Sequence, residues 1–494
     1  MLASKASHLC SKSRAQESDW LPDETMDERR QRAAIDVEPQ RLSLRLELAQ
    51  ALAREGRSED ARVELERAAR AGLDPTRIGE MASALRLGSW FGRRGQSPLR
   101  SWLGALPSAP SLRWSYQSPH EDDRFGLPLC VTPQRAIVIA QSVVVGMRYV
   151  RIVALDLTTG RVAWEHERRN LFGPTGAFVL GGAGSPQRVG WGFAEPSATE
   201  GFDLCVATYD LATGAGGPTH RLSFAEALVL APSTDLLRLD DAIFWAVSWT
   251  DEELRHSGLV EIDADHGTMS ARVLPAVSGR SLCAIGERRF GIARDALLDL
   301  GGAITGSLLY PFDTPRGEVE HGRQNDEAFA THEAVYFHAP HYATYGEGRL
   351  RLLNQVHRLT LDGDAMEHEA LGELEAECRY LCADPSGAVF VVEESGGDPL
   401  VWELRGDARR VVDRLPSERL RFVLGASMGG ALLLFASLDK QETDLPEGWL
   451  RAYGQHGLLW ELDVREVLHQ FPVPCFEGIL GVSERGVSLY GDHA

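Results

Sequence analysis

The stretch VALDLTTGRVAWE, residues 153–165, decides the fold. An apolar run ends in Asp156, a polar segment passes through Thr159 and Gly160, and Trp164 follows four residues later. A carboxylate at a strand end accepts hydrogen bonds from the N–H groups of the next turn, and a Thr hydroxyl does so more weakly. Glycine supplies the positive φ that a tight hairpin turn demands. The indole past the turn is large enough to fill a gap between neighbouring sheets. The stretch therefore predicts two antiparallel strands joined at a braced corner.

The corner recurs. YDLATG (209–214) repeats it with Asp210, Thr213 and Gly214, 54 residues after Asp156. EIDADHG (261–267) places Asp263 another 53 residues on, with Gly267 at the turn and His266 in the Thr slot. LTLDGDAMEH (359–368) and LRAYGQHGLLWELD (450–463, with Trp460) are looser versions, and LLDLGGAITG (297–306) is the weakest. A second marker runs in step, a polar turn followed by a β-branched or aromatic run. It stands at TPQRAIVIA (132–140), SPQRVGWGFA (185–194), LDDAIFWAV (239–247), GERRFGIA (286–293), HEAVYFHA (332–339), DPSGAVFVV (384–392), SMGGALLLF (427–435) and SERGVSLYG (483–491). Eight such units at intervals of 43 to 56 residues, each with several short strands, predict a propeller.

The predicted fold class is mainly β: an eight-bladed propeller of four-stranded antiparallel blades, with seven blades as the alternative, preceded by a small helical module. The chain stops after GILGVS and GVSLYG, which would leave an open blade edge. LRWSYQ (112–117), with Trp114, is expected to complete that blade as its outer strand. SWLGAL (101–106) adds another strand or bridges to the helices. The form A-L-D-x-x-T-G-x-x-x-W, at Ala154, Leu155, Asp156, Thr159, Gly160 and Trp164, resembles the repeat of quinoprotein-type (PQQ-like) eight-bladed propellers. That group also includes the propeller lipoprotein of the outer-membrane barrel-assembly machinery. The resemblance covers about residues 112–492 and is specific for architecture, not function.

Residues 1–37 are polar and read as a loosely ordered tail. Residues 38–90 read as a helical hairpin plus a third helix (77–87), with 91–111 a linker and 112–494 the propeller. Leu44, Leu48 and Leu52 recur at helical spacing before Gly56, and Ala61, Leu65 and Ala68 line a second helix capped by Ser58. The hairpin resembles a tetratricopeptide unit, with Ala49 where that repeat keeps Gly. The acidic excess of 20 charges argues against nucleic-acid binding and against charge anchoring on anionic membranes. No apolar leader and no membrane-spanning run is seen. The seven scattered cysteines fit free thiols in a reducing cytoplasm.

The chemistry-bearing patterns are few. LGASMGG (424–430) contains G-x-S-x-G with Ser427 as a would-be nucleophile, but its phase matches a blade hairpin and only 67 residues follow. A quinone dehydrogenase, which the resemblance implies, would bring a Ca²⁺ site, an Asp base and often a vicinal Cys pair. The chain has no Cys-Cys, and no cofactor or metal is expected. The dense group in THEAVYFHAPHYATY comprises His332, Tyr336, His338, His341, Tyr342 and Tyr345, and it is the first choice for a partner or ligand patch. The sequence thus predicts a monomeric, cytoplasmic, non-enzymatic scaffold that binds a protein partner. The alternatives are a quinone- or metal-dependent oxidoreductase using the channel, and a sensor binding a small molecule or carbohydrate at the propeller mouth.

Overall fold

A computed structural model describes the helix Leu42–Arg54, scattered positions between 30 and 91, and residues 106–492 apart from short connecting segments. The longest of those segments are 181–187, 275–280, 300–306, 312–327, 439–446 and 465–472. The described residues form a mainly β chain of eight antiparallel sheets taken in sequence order.

The first sheet is built from Arg124–Val131, Arg135–Val144, Met147–Asp156 and Val162–Arg169. The second runs Phe172–Leu180, Arg188–Pro196, Phe202–Asp210 and Gly216–Phe224. Four consecutive strands make each of the next five sheets, which begin at Val229, Ser281, Ala328, Glu377 and Leu420. The eighth combines Val473–Cys475, Gly478–Val482 and Gly486–Gly491 with Ser111–Gln117 from near the other end of the chain. From the first sheet to the seventh, each opening strand lies beside the opening strand of the next. The eighth sheet touches Arg124–Val131 of the first. Sequential antiparallel sheets with neighbouring first strands are the arrangement of a β-propeller.

Alternation along the strands explains why two faces are buried at once. On Arg135–Val144, Ile137 and Ile139 join a core shared with the second and third sheets. Ala136, Val138 and Ala140 join another, shared with the seventh and eighth. Met147–Asp156 divides the same way, with Ile152 and Ala154 on one side and Val153 and Leu155 on the other. The strands therefore read as nearly continuous apolar runs. Trp191 and Trp245, both fully buried, fill the space between sheets one, two and three.

Two sequence expectations are corrected. SERGVSLYG was expected to hold the first hairpin of its unit, but it holds the second, because the three-residue strand Val473–Cys475 precedes it. That strand, in a segment with Pro472 and Pro474, is too short to show a period of two. The stretch 90–91, set at the boundary between third helix and linker, pairs with the first sheet, Trp90 opposite Val131 and Phe91 opposite Cys130.

Near the N-terminus, Leu48, Leu52, Ala61, Leu65 and Ala68 share one buried cluster with Ala49, Leu73, Ile78 and Ala82. Glu64 is 2% exposed, and its two carboxylate oxygens accept from Arg45 (3.1 Å) and Arg67 (2.6 Å). The buried charge is compensated on both sides, which is what makes its burial tolerable. Gly56 and Ser58 lie outside the described residues.

Candidate functional site

The corners are the best-built polar features of the molecule. Asp156 Oδ1 accepts from the backbone N–H and the hydroxyl of Thr159, each at 3.0 Å, and Arg135 donates to Oδ2 at 2.6 Å. Asp210 Oδ1 accepts from Ala212 N (3.1 Å), Thr213 N (2.7 Å) and Thr213 Oγ1 (2.7 Å). Asp263 Oδ1 accepts from His266 N at 2.6 Å and lies 3.0 Å from His266 Nδ1, so His266 does take the Thr slot. The Thr213 hydroxyl and backbone hold the Asp210 carboxyl below its ordinary value. Burial pushes Asp156 up, but the Thr159 bonds and the Arg135 charge outweigh it and the net shift is downward.

Gly160 and Gly214 adopt φ of 69° and 72°. A Cβ on Gly214 would sit 2.5 Å from the Trp164 ring, and one on Gly160 would sit 2.5 Å from the Trp114 ring. The reason is a clasp between sheets. Trp164, on the outer strand of the first sheet, donates Nε1–H to Leu211 O at the corner of the second (3.0 Å). Trp114, on the outer strand of the eighth, donates to Leu157 O at the corner of the first (2.9 Å). Trp460, on the outer strand of the seventh, donates to Pro107 O (2.8 Å).

Pro107 belongs to a corner made from two distant pieces of chain. Asp492 accepts from Ser108 N (2.9 Å), Ala109 N (2.7 Å) and Ser108 Oγ (3.3 Å). Asp492 followed by Pro107–Trp114 reads D-PSAPSLRW, in step with D-LTTGRVAW from Asp156 to Trp164. The strand Ser111–Gln117 then pairs with Gly486–Gly491, Ser115 opposite Ser488. Three successive junctions, seventh to eighth, eighth to first and first to second, thus carry the same tryptophan clasp. In the second sheet Pro218 stands eight residues past Asp210, where Trp164 stands past Asp156, and the run of clasps ends.

Below the seam, the crossover 118–123 is tied by a buried ion pair. Arg151 (6% exposed) binds Asp123 (2% exposed), Ser118 Oγ (2.8 Å) and Glu165 (3.1 Å). In the second sheet Arg221 binds Glu195 beside Cys205, whose thiol burial pushes up to about 12. That thiol stays protonated at neutral pH and is a poor nucleophile.

The proposed His/Tyr patch fares differently. Tyr336 is 1% exposed and belongs to the interior, not to a surface offered to a partner. Ala334 and Val335, on the two faces of the same strand, are buried too, which a count of Tyr and His does not reveal. His338, His341, Tyr342 and Tyr345 lie along Ala334–Tyr345 opposite Val356, Leu353, Leu352 and Arg349. His332 lies outside the described residues. Two histidines that the sequence reading passed over are brought together instead, His357 and His368 across the hairpin LTLDGDAMEH.

Ser427 lies on Leu420–Met428, opposite Leu432 of the antiparallel strand Ala431–Leu438. No strand–turn–helix elbow exists at that position. Among the described residues, no three His, Cys, Asp or Glu side chains converge on a point that could hold a metal. No helix among the described residues is long and apolar enough to cross a membrane.

No protein-family model matches the chain. No curated protein matches it either. Among solved structures it is similar to a europium-containing methanol dehydrogenase, at 12% identity over 82% of this chain and 90% of that one, with a TM-score of 0.36. It is also similar to the β-propeller domain, of open velcro topology, of the Trilobed protease from Pyrococcus furiosus. That match has 9% identity over 69% of this chain and 94% of the other, with a TM-score of 0.34.

Proposed function

We propose that the chain is an eight-bladed propeller closed by the segment 107–117, and that it works as a non-enzymatic scaffold for a protein partner. One observation carries the scaffold reading. Where the tryptophan clasps run, the outer strands begin with exposed apolar side chains: Leu458 and Leu459 (both 55% exposed), Leu112 (55%) and Val162 (41%). Leu112, Val162 and Leu458 each stand two residues before the clasp tryptophan of their strand, and Leu459 stands one before it. Repeated large apolar side chains at matching, solvent-facing positions mark an interaction surface. The tetratricopeptide-like helices offer a second docking surface. The test is affinity capture with the full-length chain from its native lysate, alongside the variant Leu112→Ser, Val162→Ser, Leu458→Ser, Leu459→Ser. A defined partner lost in the variant supports the reading. Equal capture by both proteins overturns it, and so does a quinone absorption band with alcohol-dependent dye reduction, which would make the protein an oxidoreductase.

A further inference from the structure

His357 and His368 sit on the third and fourth strands of the fifth sheet, Arg349–Asp362 and Ala365–Leu374. Leu359 is opposite His368 and His357 is opposite Ala370. The two histidines are thus diagonal neighbours on one face of the hairpin. His357 Nδ1 and His368 Nε2 are 2.7 Å apart, with the rings inclined at 28° and their centroids 4.9 Å apart. Arg358 and Glu369, paired at 3.3 Å, occupy the alternate positions and face the other way.

Two imidazole nitrogens that close fit a shared metal ion. At metal–nitrogen distances of about 2.0 Å, neighbouring positions of a square or tetragonal ion bring two nitrogens to about 2.8 Å, while a tetrahedral ion needs about 3.3 Å. The observed separation, that of a hydrogen bond between the two rings, lies closer to the first. We propose that His357 and His368 form a two-histidine chelating site for a tetragonal divalent ion, Cu²⁺ or Ni²⁺, with water in the remaining positions. Each ring ligates through the nitrogen that now faces its neighbour. The ring that holds the proton between the two nitrogens gives it up to solvent as the ion binds there.

The test uses untagged, chelator-treated full-length protein at pH 7.5, titrated with Ni²⁺ by calorimetry and loaded with one equivalent of Cu²⁺ for electron paramagnetic resonance. The expected result is a single tight ion whose copper spectrum shows coupling to two imidazole nitrogens. His357→Gln or His368→Gln should each weaken Ni²⁺ binding about tenfold or more, since each removes a chelating arm. His266→Gln, on another sheet, should leave it unchanged. A copper spectrum with fewer than two nitrogens overturns the proposal whatever the variants do. Gln variants that fold by circular dichroism and bind like the parent overturn it as well.

Discussion

Asp492 does across the chain's seam what Asp156 and Asp210 do within single hairpins. Replacing it with Ala removes the acceptor for two backbone N–H groups and a hydroxyl. The expected cost is about 1–2 kcal/mol, read as a lower urea midpoint at unchanged slope. Burial raises the Asp492 carboxyl, the Ser108 and Ala109 bonds outweigh it, and the result lies below the ordinary 3.8. A carboxylate depressed in the folded state binds fewer protons there than in the unfolded chain. Its stabilisation is therefore complete above the unfolded value and is lost as pH falls through the folded one. Thermal melts between pH 6 and pH 2 should show Asp492→Asn flattening the acid limb relative to the parent. Gly214→Ala meets both the positive φ and the Trp164 ring, so a loss of about 1–3 kcal/mol is expected, visible in the same melts.

At the scale of the element, the unit is an outer strand clasped to the next corner. Trp164→Ala removes a mostly buried indole and its bond to Leu211, a loss of about 3–5 kcal/mol by denaturant titration. Trp164→Phe keeps most of the ring and loses only the N–H bond, about 1 kcal/mol. These corners were legible because the bonds that brace the turn itself close within three residues, Asp156 to Thr159. The turn phase was legible in the first seven sheets and failed at SERG, where the short strand Val473–Cys475, flanked and interrupted by proline, hides the first hairpin of its sheet. The pairing of LRWSYQ with GVSLYG was inferred from an open edge and a spare Trp. The split corner under it was not, because Ser108 and Asp492 are 384 residues apart and neither is distinctive alone. Tyr336 was misplaced for a related reason. Residue type suggests an interface, while the neighbouring sheets cover both faces of its strand and put it inside. His357 and His368 were hidden by their spacing, which becomes proximity only once the hairpin register is set.

For the whole molecule, the three clasped junctions lie together around the place where the two ends meet. Ser115 Oγ and Ser488 Oγ are 3.1 Å apart on paired strands. The double variant Ser115→Cys, Ser488→Cys should oxidise readily, and the cross-link should stabilise the fold by roughly 2–4 kcal/mol, seen as a melting temperature that drops on reduction. An unchanged melting temperature would mean that the seam already stays shut throughout unfolding. The split corner also sets an order of events during synthesis. Ser111–Gln117 leaves the ribosome early, yet its neighbour in the sheet arrives only once residue 491 has been made. At about 5–20 residues per second, that strand waits roughly 20–75 seconds with a bare hydrogen-bonding edge. A nascent chain stalled before Gly486 should therefore be held by chaperones, while one whose Gly486–Gly491 strand has emerged lets go.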